Sequence, residues 1–243
     1  MLLLGTPCAR AMSGAVRWAR LEILSDGTGL YAPSMADAME QLAEVRRQFG
    51  DTSKRGHHLA DPLDERTWAS RPPDGGWSVA ECFIHLNLTA ERMLALCRDG
   101  LDRTRRESGS DGPRAAPGQA GALSRDLTGR LLAWYLEPPY RLKSRTQPAF
   151  VPAASAPKAD VMASWDREHD AIDAFLTECA GWRIDKARIA SPFDPRGRLR
   201  YSVYSALLVV AAHERRHLWQ AERVLQRLEG ARRAVRRADA PSP

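Results

Sequence analysis

Tyr201 to Gln220 reads Y-S-V-Y-S-A-L-L-V-V-A-A-H-E-R-R-H-L-W-Q, and its period decides the fold. Val203, Leu207, Val210, His213, His217, Val224 and Leu228 fall on one stripe of a helix expected to run from Tyr201 to about Arg232. The apolar run from Ala206 to Ala212 is far too short to span a bilayer, so no membrane-spanning segment is expected. Residues four apart stack on one helical face, which lets His213 and His217 offer two imidazole nitrogens to one metal ion. A histidine from a second helix would bring the protein ligands to three. The fourth position would then stay open, as in catalytic rather than structural sites.

Three further segments carry the helical period. Ser34 to Phe49 places Met35, Met39, Leu42, Val45 and Phe49 on one face. A second helix begins at Trp77-Ser78, where Ser78 and Glu81 form the S-x-x-E capping box, and continues through Val79, Cys82, Phe83, Leu86, Met93 and Leu96 to a stop at Gly100. His85 lies on its apolar side. The third runs from Asp160 to about Ala180, with Val161, Trp165, His169, Ile172 and Leu176 in one stripe and Gly181 at its C-terminal boundary. Leu123 to Leu136 is a shorter amphipathic piece ended by Glu137-Pro138-Pro139. Strand-like alternation is nowhere convincing. These elements predict an all-α protein, most simply a four-helix bundle with an inserted loop and a short extra helix between its second and third helices.

Length and composition fit one globular domain with extensions. Residues 1–34 read as an N-terminal extension, with Met1 and Met35 both open as starts; 35–231 form the bundle, and 232–243 a basic tail expected to be disordered. Within the bundle, 102–121 turn to Arg, Ser, Gly, Pro, Asp and Ala and read as a flexible insert, because such residues bury too little apolar surface to order a chain. The net charge of +6 gathers in Arg227, Arg232, Arg233, Arg236 and Arg237. No aromatic residues interleave with that run, which disfavours nucleic acid as a partner and favours a solvated helix end. Cys8, Cys82, Cys97 and Cys179 are scattered without a C-x-x-C pair, which points to a reducing compartment such as the cytoplasm rather than a disulfide scaffold.

A single histidine on an apolar face is usually a hydrogen-bonded core residue. Two facing the same core must both be kept neutral and partnered, or share a cation, and that shifts His213 and His217 with His85 toward a metal site. His169 reads as a core or pocket residue rather than a direct ligand, while His57 and His58 sit among polar residues expected to form a solvent-facing loop. H-E-R-R-H also matches the H-E-x-x-H pattern of zinc proteases, with Glu214 as general base. The longer version of that pattern requires glycine at 220 and histidine at 223, where this chain has Gln220 and Arg223, and no downstream glutamate ligand is evident. A protease fits poorly on that ground. Glu214 then reads as a residue pairing with Arg215, Arg216 or a neighbouring helix, or as one that orients a ligand.

Gly76-Trp77-Ser78-Val79-Ala80-Glu81 with His85-Leu86, and His213-Glu-Arg-Arg-His217-Leu-Trp-Gln220, resemble the second-helix and last-helix signatures of the DinB-like superfamily. The Glu137-Pro138-Pro139 turn and the Phe150-x-Pro152 element are similar to a branch of it, and the likeness covers about residues 36 to 230. The resemblance implies an up-down-down-up four-helix bundle that holds a divalent metal through His85, His213 and His217. It also implies kinship with S-transferases that use bacillithiol or mycothiol and with a bundle related to maleylpyruvate isomerase. The 102–121 insert, the 34-residue head and the basic tail depart from the pattern, so no substrate is carried over.

On this reading the metal is Zn²⁺ or Ni²⁺ ahead of Fe²⁺ or Mn²⁺, since imidazole ligands suit several metals. A small-molecule substrate is expected, with a low-molecular-weight thiol as co-substrate held as thiolate; a homodimer is left open. Gln220, His169, Trp165 and Glu214 are the pocket candidates. A hydrolase using the same centre and a non-enzymatic metal-binding stress-response module are the alternatives.

Overall fold

The computed structural model describes residues 35–107, 121–139, 146–152, 156–194 and 196–238. The expected N-terminal extension, residues 108–120 of the expected insert and residues 239–243 lie outside them. Six α-helices are present among these residues: α1 (Met35–Ala60), α2 (Glu65–Ala69), α3 (Val79–Glu107), α4 (Leu127–Leu136), α5 (Lys158–Glu178) and α6 (Val203–Ala238). A 3-10 turn spans Pro148–Phe150, and β1 (Arg188–Ala190) pairs antiparallel with β2 (Arg200–Ser202), Ile189 opposite Tyr201. Among the described residues the protein is all-α apart from this one short ladder. The long helices pack in a ring, α1 on α6, α6 on α3, α3 on α5 and α5 on α1, while α4 lies along α6. No described helix is long and apolar enough to cross a membrane.

Local chemistry accounts for several boundaries. The capping box at α3 forms reciprocally: the Glu81 amide donates to Ser78 Oγ at 3.2 Å and the Ser78 amide to Glu81 Oε2 at 2.9 Å. Such a cap contributes about 1 kcal/mol, and Arg71 reinforces it by donating to the buried Glu81 carboxylate. Asp126 caps α4 through the Gly129 amide at 2.8 Å and also accepts from the Ser202 amide at 2.8 Å. One carboxylate thus ties the start of α4 to the start of α6.

Four sequence expectations change. α1 continues past Phe49 to Ala60, so His57 and His58 lie on its last turn rather than in a loop. His58 is exposed, whereas His57 is half-buried and meets Asp166 of α5 at 2.7 Å. α3 runs through Gly100 to Glu107, which shortens the insert. Gly100 is a place of close approach: a Cβ there would stand 2.7 Å from Ile189 Cγ2 and 3.3 Å from Val203 Cγ2, so packing against β1 and α6 outweighs its poor helix propensity. Tyr201 belongs to β2 and α6 begins two residues later, because a three-residue strand is too short to show alternation. Finally, α6 reaches Ala238, so the expected tail is helical at its start.

The apolar core falls into two clusters. Phe49, Met93, Ile172, Tyr201 and Leu207 belong to one; Trp68, Phe83, Trp165 and Leu218 belong to the other. Along the chain, α1 and α6 pass from the first cluster to the second, and α3 and α5 from the second to the first.

Candidate metal centre

Between the two clusters every long helix turns polar. α1 contributes Thr52, α3 contributes His85 and Thr89, α5 contributes His169, and α6 contributes His213, Glu214 and His217. All but His169 are buried. Polar groups withdrawn from water call for partners, and apart from Thr89, whose hydroxyl has no hydrogen-bond partner, the members of this layer separate into two parts.

The first part joins α3 to α6. His85, His213 and His217 each bring a ring nitrogen to within 4.8 Å of the other two. His85 is 3 % exposed, His213 6 % and His217 8 %, so water does not saturate these nitrogens. The Phe150 carbonyl lies 2.7 Å from His85 Nδ1. A carbonyl only accepts, so Nδ1 carries the hydrogen and the neutral ring presents the Nε2 lone pair inward. That nitrogen lies 3.1 Å from His213 Nε2, while Nδ1 of His213 and Nδ1 of His217 are buried without a hydrogen-bond partner. With the His85 N–H engaged by the Phe150 carbonyl, its inward lone pair joins two further imidazoles whose nitrogens lie within 4.8 Å, a donor set that could hold a cation.

Electrostatics points the same way. Burial holds His213 and His217 well below the usual imidazole range, helped by the neighbouring rings and the Arg216 guanidinium; Gln220, hydrogen-bonded to His217, opposes this there. Burial also lowers His85, against the pull of the Phe150 carbonyl. Neutral imidazole is the form a metal requires, so these rings need not shed protons near neutral pH. Arg216 is itself held away by the Tyr135 carbonyl at 3.1 Å and by the face of the Tyr135 ring.

Aromatic rings cover the three imidazoles. Trp77 stacks on His217 at 5.8 Å between centroids and lies 4.9 Å from His85, Phe150 meets His85 edge-on at 6.5 Å, and Phe193 lies 6.1 Å from His213. These rings come from three separate connections: the turn before α3, the 3-10 turn and the loop after β1. Trp77 and Phe150 stand in quotable motifs, but nothing in the sequence marks Phe193.

The second part of the layer joins α6 to α1 and α5. Glu214, 1 % exposed, accepts from the Thr52 hydroxyl and faces His169 Nε2 at 3.4 Å. His169 Nδ1 donates to the Trp165 carbonyl at 2.9 Å. Burial lowers His169, yet the Glu214 carboxylate outweighs it and the net shift is upward. Of the pocket candidates, Gln220 therefore sits beside His217, whereas Glu214 and His169 pair on the adjoining face of α6, toward α1 and α5. Trp165 packs on Phe83 and His169 in the second apolar cluster. Arg215 turns to Glu137, so Glu214's partners lie on neighbouring helices.

An all-helical fold whose polar core layer gathers three neutral imidazoles defines a helical protein with a cluster able to hold a metal ion. The DinB superfamily model matches residues 48–221, most of the chain, and the protein belongs to that superfamily. No curated protein and no solved structure matches it.

Proposed function

We propose that the protein is a divalent-metal-dependent transferase that joins a low-molecular-weight thiol to a small electrophile at His85, His213 and His217. The observation that carries this reading is the convergence of three buried, neutral imidazoles from two helices, two of them with unpartnered nitrogens. A divalent ion, Zn²⁺ or Ni²⁺ ahead of Fe²⁺ or Mn²⁺, supplies Lewis acidity that favours thiolate over thiol. The residues do the rest: the Phe150 carbonyl fixes the ring and tautomer of His85, Gln220 steadies His217, and Trp77, Phe150 and Phe193 limit water around the three rings.

The protein's own described cysteines are poor nucleophiles. Burial pushes the thiol of Cys97 up to about 12 and those of Cys82 and Cys179 higher still. A separate thiol molecule suits that arrangement.

Purified protein should hold one equivalent of metal by elemental analysis and lose it in His85→Ala and His213→Ala. With metal present, consumption of a small electrophile should require added thiol. Turnover without any thiol would transfer the reading to hydrolysis, and stoichiometric metal with no turnover on either path would leave a non-enzymatic metal-binding protein.

A further inference from the structure

The polar layer poses a question that the three imidazoles do not answer. Glu214 sits in sequence between His213 and His217 and is almost wholly buried, yet its carboxylate pairs with Thr52 and His169 on other helices, and its Oε1 has no partner. A buried carboxylate with an unmatched oxygen is a poor way to stabilise a core, since an apolar residue of similar volume packs there at lower cost. Its use must lie elsewhere.

Successive residues on a helix are separated by about 100°. Glu214 therefore projects about 100° round α6 from His213 and about 60° from His217, toward α1 and α5 rather than α3. There the single hydrogen of the Thr52 hydroxyl is within reach of both Glu214 Oε2 and the Phe49 carbonyl, the latter at 3.0 Å, which places the hydroxyl between α1 and α6. From α5, His169 Nε2 lies 3.4 Å from the same carboxylate, an ion-pair distance without a hydrogen bond, and the ring is fixed at its other edge by the Trp165 carbonyl and against the Trp165 indole at 4.1 Å.

We infer that Glu214 is a positioning residue for the three-imidazole centre, its ties to Thr52 and His169 fixing the rotation of α6 so that His213 and His217 both face His85. This rests on the metal reading of that centre. A rotation of α6 that relaxed either tie would swing both imidazoles together, because all three residues share little more than one helical turn. The carboxylate thus acts on the metal through geometry.

The test compares Zn²⁺ affinity, by competition with a chromophoric chelator, and the visible spectrum of the Co²⁺ form with the thermal stability of metal-free protein. Glu214→Leu should bind Zn²⁺ more weakly by roughly tenfold or more, in the range seen when outer partners of metal ligands are removed. Its Co²⁺ spectrum should change, while its metal-free melting temperature stays equal or rises. Thr52→Val should lose affinity in the same direction, and Glu214→Gln, which keeps an acceptor for Thr52, should restore most of it.

Wild-type affinity and spectrum in both Glu214→Leu and Thr52→Val would overturn the positioning role, provided that wild type binds one Zn²⁺ and His213→Ala does not. A Glu214→Gln protein as weak as Glu214→Leu would overturn the tether in favour of charge alone. Wild-type protein that takes up no zinc would overturn the metal reading and this inference with it.

Discussion

Gly56 of α1 stands directly against the indole of Trp165 on α5: a Cβ at position 56 would lie 2.9 Å from Nε1 and 3.0 Å from two ring carbons. Trp165 is 1 % exposed and is wedged between Phe83 and His169, so it has no free direction in which to retreat. The contact matters for the polar layer because the Trp165 carbonyl and ring orient His169.

Gly56→Ala should therefore destabilise the protein despite alanine's better helix propensity. Overpacking costs typically about 1–3 kcal/mol, against a propensity gain of about 1 kcal/mol. Urea denaturation should show a lower midpoint. An equal or higher midpoint would mean that the indole moves aside freely.

The three imidazoles should make metal-free protein sensitive to acid. Their folded-state values are depressed, chiefly by burial, so the unfolded chain binds more protons below pH about 6.5. Their contribution is intact above that pH and erodes as pH falls toward the depressed folded values, with a slope of up to about 1.4 kcal/mol per pH unit for each histidine. Urea titrations in chelator from pH 7.5 to 5 should show this limb, and His217→Leu should make it shallower. An identical slope in the variant would remove His217 from the account.

His57 should act in the opposite sense. The hydrogen bond to Asp166 raises its pKa, opposed by partial burial and supported by Asp61. The stabilisation is therefore complete below pH about 6.5 and lost as pH rises through the raised folded value. Both side chains remain more than a third exposed, so the effect stays below about 1 kcal/mol. The melting temperature of Asp166→Asn should differ from wild type near pH 6 and converge with it in alkali; a constant offset at all pH values would rule the pair out as its source.

Native protein should resist thiol reagents. In a Cys8→Ser background, a disulfide-exchange reagent should titrate Cys82, Cys97 and Cys179 only after denaturant is added, since all three are buried. Rapid reaction of any of them in the folded protein would show that the core opens readily.

The helices were legible where hydrophobic period and end signals agreed. The stripe from Val203 to Leu228 and the S-x-x-E box at Ser78 both appear as read. Boundaries went astray where a distant contact outweighed local preference, as at Gly100, which α3 keeps because Ile189 and Val203 press against it. His57 looked like loop for a similar reason: its partner Asp166 is over a hundred positions away and leaves no local trace.

The sequence by itself determined that His213 and His217 share a helical face, because a four-residue step is a property of the helix alone. It determined equally that His85 lies on the apolar side of α3. Only the tertiary structure decided that Glu214, next in the chain to His213, belongs to Thr52 and His169 instead, and that Trp77, Phe150 and Phe193 close over the three rings. Those pairings join residues from separate elements, and which elements meet is settled by how the four long helices pack.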